Sequence, residues 1–225
     1  MLVCLCSFLL LFSSAAWLYP GGNWIDRSEA GHSFWRNFFC DLTQPVSLSG
    51  VDNRLGARLA QASLLIFGGA LGGLFWLLPR RFSARSRLAR WVRAFGGFSL
   101  VCFVLVPLTP SERFGHLHAL IALSAAALGA LAVVLAVTAL LMTEPRPKLI
   151  TALGVAALLA GSIDGVLFAR HLNDSAPPPL ILPAAQKVAG LLVGLWITAT
   201  ALVELREQRA LRAERNRSTS KSSHQ

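Results

Sequence analysis

Charged side chains are scarce in this chain of 225 residues: Asp, Glu, Lys and Arg make up 14% of it, against 54% hydrophobic residues. With a mean hydropathy of +0.57, that leaves too little polar surface to coat a soluble globule, so a soluble fold is excluded. Acidic residues number 11 against 21 Lys and Arg, but no folded basic domain carries the excess, which argues against nucleic acid as a partner. Cysteine occurs four times, at Cys4, Cys6, Cys40 and Cys102, and no two have the spacing of a zinc site or a disulfide framework. Buried free thiols are the simpler account. No catalytic, nucleotide-binding or metal motif of high specificity occurs, and none for a cofactor. No two histidines stand on facing spans at matched depth, as haem would need. The absence of an internal repeat or a proline-broken pair of matching spans argues against a small-solute transporter.

What is abundant is long apolar runs. A hydrocarbon core about 30 Å thick needs roughly 20 helical residues, and such runs fall at residues 2–18, 59–78, 91–108, 117–142, 149–169 and 184–203. They are too continuous for alternating barrel strands, and backbone groups in lipid must be satisfied within the segment. The predicted fold is therefore all-α: a polytopic bundle of six spans in residues 1–204, with a basic tail in residues 205–225. The tail should continue the last helix to about Glu214 and then dissolve into the polar run 218–225.

The basic residues orient the bundle. Six arginines lie in residues 80–93, Arg146 and Lys148 in the link after the fourth span, and Arg206, Arg209, Arg212, Arg215, Arg217 and Lys221 in the tail. These fourteen mark the cytoplasmic side, which puts both termini inside a cell (inner) membrane, as expected of a bacterial inner-membrane protein. The first span has a second reading: residues 2–12 followed by Ser13, Ser14, Ala15 and Ala16 resemble a cleavable secretory signal, though without a positive region in front. Trp17 and Tyr19 suit a retained anchor with an interfacial belt. Small-residue pairs at Gly68/Gly72, Gly69/Gly73, Gly161/Gly165 and Gly190/Gly194 mark helix faces that can approach closely. They serve a compact bundle, or a homo-oligomer through the Gly68/Gly72 or Gly190/Gly194 faces. Membrane lipids are the other partner class.

Polar residues converge on the outer side. Residues 31–42 predict a two-faced helix, with Phe34, Trp35, Phe38, Phe39 and Leu42 on one side and His32, Ser33, Arg36, Asn37, Cys40 and Asp41 on the other. Such a helix either lies on the leaflet or caps a cavity. His32, His116, His118 and His171 share this side with Asp41, Glu112, Asp164 and Asp174, and are the candidate metal ligands. Asp41, Asp164, His116 and His171 are the candidate catalytic groups. His116 and His118, two apart, would point about 200° from one another on a helix. Asp164 lies inside a span, where an ionisable group needs a partner or a task. Lys187 stands at nearly the same depth, so the two form an ion pair, or else Asp164 faces a binding pocket with Arg36, Asn37, Asp41 and Lys187.

The runs YPGG at residues 19–22, GHSFWRNFFCDL at 31–42 and VDN at 51–53 resemble a recurrent opening in bacterial six-helix membrane proteins of domain-of-unknown-function family 998. Asn37, Asp41 and Leu42 fit that pattern, while Cys40 and Thr43 stand where it has Ser and Gly. The stretch 110–120, with His116 opening the fourth span, is also similar. The resemblance implies a six-helix topology and no particular activity. Eukaryotic six-span families of the autophagy-modulator and Sfk-like kinds have a similar layout, which implies a link to lipid organisation. Two functions follow as expectations: a membrane protein binding a lipid or partner through an outer polar pocket under the aromatic loop, or an intramembrane lipid hydrolase or transferase using Asp and His at the outer leaflet.

Overall fold

The computed structural model describes residues 1–82, 86–172 and 178–222, with side chains up to residue 213 and without that of Ser86. Among the described residues, seven helices follow in chain order: α1 Leu2–Leu18, α2 Arg54–Leu77, α3 Ser86–Leu108, the single turn α4 Ser111–Phe114, α5 His116–Leu141, α6 Lys148–His171 and α7 Ile181–Ser222. Short 3-10 turns occupy Phe39–Thr43 and Leu78–Phe82. No strand occurs among the described residues, only two isolated bridges, Gly21 with Ala30 and Val46 with Asp52. The expected all-helical membrane bundle is what forms. Among the described residues, five helices are long and apolar enough to cross a membrane. The 17-residue α1 spans about 26 Å at 1.5 Å per residue, at the short end of the range.

The long helices pack in chain order, α1 on α2, α2 on α3, α3 on α5, α5 on α6 and α6 on α7, and α7 closes the ring lightly on α1 and α2. Glycine makes the first contacts close. On α2, a methyl group at Gly72 would sit 2.9 Å from Leu100 Cδ2 and one at Gly68 3.4 Å from Leu100 and Phe103, both on α3. Gly69 and Gly73 present their bare backbone to Cys4 and Met1 of α1. The Gly68/Gly72 face, which could serve either the bundle's own packing or a homo-oligomer, packs within the chain: without a Cβ it takes in the large side chains of α3.

The core lies toward the arginine-rich end. Leu74, Leu78, Val92, Leu140, Ile150, Trp196 and Ile197 are buried there, and Arg81 fastens the end by reaching Glu204 at 3.3 Å and Glu207 at 3.0 Å on α7. α6 is unevenly held: its buried residues, Ile150, Thr151, Gly154 and Ala157, all belong to its first half. α7 does not stop near Glu214 but continues through Ser222. The Glu, Arg, Ala and Leu content of residues 204–214 favours helix, and the helix extends over the polar run that follows.

The loop between α1 and α2 departs most from expectation. Residues 31–42 do not form a helix; a turn over residues 34–36 leads into the 3-10 turn Phe39–Thr43. The Asp41 carboxylate captures the Phe38 N–H at 2.7 Å, which a helix over these residues would need for its own ladder, and Asn37 Oδ1 accepts the Ser33 N–H at 2.9 Å and pins the start of the turn.

Candidate functional site

A cavity of about 600 Å³ opens inside the ring of helices, within the roughly 300–1,000 Å³ usual for small-molecule sites. Its roof is the α1–α2 loop, through Phe34, Phe38, Phe39 and Cys40; its far end is closed by Phe75, Ala157 and Trp196. Along α7 the lining runs from Gln186 to Thr198, about 18 Å at the helical rise and more than half the thickness of a hydrocarbon core. The wall is mostly apolar. Part of its space exists because three glycines in it, Gly161, Gly165 and Gly194, have no neighbour within 4 Å of where a Cβ would stand. These were expected to draw helices together; instead they hollow out the side of the cavity where α6 and α7 meet. Gly190 backs onto Phe39 of the roof, so the Gly190/Gly194 face also turns inward.

The roof is built by the residues that carried the family resemblance. Asn37, fully buried, donates to the Gly22 carbonyl at 2.9 Å and to Asp41 at 3.4 Å. Asp41, 1% exposed, also accepts from Trp24 Nε1 at 3.2 Å. Asn53 donates to the carbonyls of Leu42 and Gln44, and the Tyr19 hydroxyl accepts the Leu48 N–H at 3.0 Å. Gly22 holds φ at 84°, and its Cα lies so close to Leu48 and Ser49 that no Cβ would fit. The motif is thus a clasp that folds the loop. Asn37 and Asp41 knit the loop's interior while Phe34, Phe38 and Phe39 face the cavity, the reverse of a polar stripe over a pocket.

Two side chains of α7 hold the roof down. Gln186 Oε1 accepts the Phe39 N–H at 2.8 Å. Lys187, 2% exposed, donates to the Asn37 carbonyl and lies 4.5 Å from the Phe39 ring centroid and 5.7 Å from that of Phe34. The expected ion pair with Asp164 is not made: no contact within 4 Å joins the two, and the Lys187 ammonium is turned toward the loop carbonyl and rings that satisfy it. Asp164 remains in the cavity wall with Lys187 as its charged neighbour and with no hydrogen bond among the described residues.

Burial sets the electrostatics of the loop. It pushes the Asp41 carboxyl up to about 6, against the pull of its bonds from Phe38, Trp24 and Asn37 and of the Lys187 charge. It pushes the Cys40 thiol up to about 12, with Asp41 adding to the effect. His32 is forced down to about 4 by burial and then by Lys187; its ring packs edge-on to Phe12 and Tyr19, and its Nε2 has no partner.

The candidate acid/base and metal residues are not brought together. His116 is exposed at the start of α5 and His171 ends α6. His118 is buried, its Nδ1 2.7 Å from the Thr109 carbonyl at the α3–α5 corner. Among the described residues no group of three or more His, Cys, Asp or Glu side chains is placed to hold a metal ion. Arg36 points outward and pairs with Glu29 at 3.1 Å. Asp174 lies outside the described residues. Of the proposed binding set, Asp164 and Lys187 line the cavity, while Asn37 and Asp41 support its roof. Sequence reasoning missed Phe38, Phe39 and Gln186 as cavity residues. The apolar face of residues 31–42 was the signal for the first two; nothing in the sequence distinguished Gln186.

Comparison with protein-family models, with curated proteins and with solved structures finds no match to this chain.

Proposed function

We propose that this multi-pass membrane protein binds the hydrocarbon portion of a lipid-like amphiphile inside its helical ring, without chemistry on it. The observation that carries this reading is the glycine-walled, largely apolar cavity beneath an aromatic roof. A soluble protein would collapse such a void or fill it with side chains; in a bilayer, acyl chains are the solvent at hand. Asp41, one of the two candidate catalytic carboxylates, is supplied with donors within the loop, which favours binding over catalysis. We place the protein in the cytoplasmic membrane with both termini and the arginine-rich links inside, on the distribution of basic residues, and the loop roof on the outer face. The packing of α1 against α2 through Gly69 and Gly73 supports a retained first span.

The test is to purify the full chain in a neutral detergent and look for bound lipid by native mass spectrometry. Wild type should carry a hydrophobic adduct, and Gly161→Leu with Gly194→Leu should lose it while remaining folded. A folded wild type with no adduct, and none acquired from added lipid, would overturn the reading. Single cysteines placed at residues 80–93 should resist a membrane-impermeant maleimide in intact cells; labelling from outside would invert the orientation.

A further inference from the structure

Among the described residues, the cavity wall holds one charged group that the chain leaves without a hydrogen bond. Among the polar side chains in its wall, Ser99 donates to the Ala125 carbonyl, Thr198 to the Gly194 carbonyl, His118 meets the Thr109 carbonyl, and Gln186 and Lys187 hold the roof. Asp164, Ser162 and the indole N–H of Trp196 have no hydrogen bond among the described residues, and of these three only Asp164 is charged. It stands seven residues before the end of α6 at His171, about 10 Å along the helix, at the level of Lys187 and the roof. A carboxylate at that depth is expensive unless something donates to it.

Charge narrows what that something is. Among the described residues, three formally charged side chains gather at this end of the cavity: Asp41 just behind the roof, Asp164 in the wall, and one cation, Lys187, whose field reaches both. Lys187 is committed to the Asn37 carbonyl and the face of Phe39, and Asp41 is already supplied with donors. The set therefore lacks one positive charge, and Asp164 lacks one N–H donor. An anionic head would add a third negative charge. A neutral hydroxyl would supply the bond without the charge, and a quaternary ammonium the charge without the bond.

We propose that the cavity takes a single-chain amphiphile whose head is a primary ammonium held by Asp164, with its chain running past Gly161, Gly165 and Gly194 toward Trp196. This rests on the reading of the cavity as a hydrocarbon site and adds the chemistry of the head.

The experiment uses four probes of one chain length, hexadecylamine, hexadecanol, hexadecyltrimethylammonium and palmitate, in equilibrium binding to the purified full chain in neutral detergent. Hexadecylamine should bind about tenfold or more tightly than the alcohol and the quaternary ammonium, as a charge-assisted hydrogen bond implies, and palmitate should bind least. Asp164→Asn should bring the amine to the level of the alcohol, and Asp164→Glu should keep the preference. Gly165→Leu should weaken all four alike. Equal binding of the four, a preference for palmitate, or an amine preference that survives Asp164→Asn overturns the head assignment and leaves the hydrocarbon site standing. Failure of every probe overturns both. Should Asp164→Asn not fold, the ranking of the four probes on wild type decides alone.

Discussion

Two parts of the bundle use glycine pairs, and they use them differently. On α2, Gly68 and Gly72 press against Leu100 and Phe103 of α3, while Gly69 and Gly73, one residue round the helix, receive Cys4 and Met1 of α1. On α6 and α7, Gly161, Gly165 and Gly194 press against nothing. Lipid offers no hydrophobic drive for helices to meet, so a missing Cβ is useful only if a neighbour's side chain is there to fill the gap. Around α2 the neighbours bring Leu, Phe and Met into it. Across the cavity from α6, α5 brings Ala122, Ala126 and Gly129, too small to reach. The same dipeptide spacing thus makes a joint in one place and a hollow in the other, and the partner helix decides which.

Substitution should expose this difference first. Gly72→Leu forces a branched side chain into the α2–α3 contact and should cost about 3 kcal/mol of stability, read as a lowered thermal midpoint in detergent. Gly161→Leu should change the midpoint by less than about 0.5 kcal/mol equivalent while removing bound lipid. Equal destabilisation by both would erase the distinction. Next in size is the roof clasp: Asn53→Ala strands the Leu42 and Gln44 carbonyls and should cost about 2 kcal/mol.

The hollow half also depends on Lys187. Lys187→Met should loosen the roof and raise the rate at which a thiol reagent modifies Cys40 several-fold. Adding Asp164→Asn should not restore protection, because the lysine serves the loop rather than the aspartate. Recovery in the double variant would show the two to be an ion pair after all.

The smallest effect is in pH. Asp41, raised from 3.8 to about 6, favours the fold most below pH 3.8 and loses that contribution as pH rises through 6. His32, lowered from 6.5 to about 4, favours it above pH 6.5 and loses that contribution as pH falls through 4. The two slopes oppose one another between about pH 4 and 6, so the wild-type midpoint should be nearly flat there. Asp41→Asn should leave a midpoint that falls on acidification, and His32→Gln one that rises.

The spans were legible because a run of some twenty apolar residues has few alternatives in lipid. Their ends were less so: α2 begins at Arg54 and α3 at Ser86, since polar first turns continue a helix beyond the apolar run that announces it. Residues 31–42 misled because a helical spacing of Phe and Trp says nothing about side chains that compete with the backbone. Asp41 takes the Phe38 N–H from the ladder the pattern requires, and Asn37 ties down the Ser33 N–H ahead of it. The matched depth of Asp164 and Lys187 was readable by counting along two antiparallel helices. The direction of Lys187 was not, because its partner is the Asn37 carbonyl, a backbone atom whose position exists only once the loop has folded.

The uneven burial of α6 has a mechanical corollary. A rod whose buried residues, Ile150, Thr151, Gly154 and Ala157, all lie in its first half has its pivot there. A tilt of about 10° about that base, over the roughly 21 Å from Ala157 to His171, would carry the tip nearly 4 Å sideways without disturbing the base. That widens the chamber toward the surrounding leaflet and leaves the roof, which is fastened to α7, where it is.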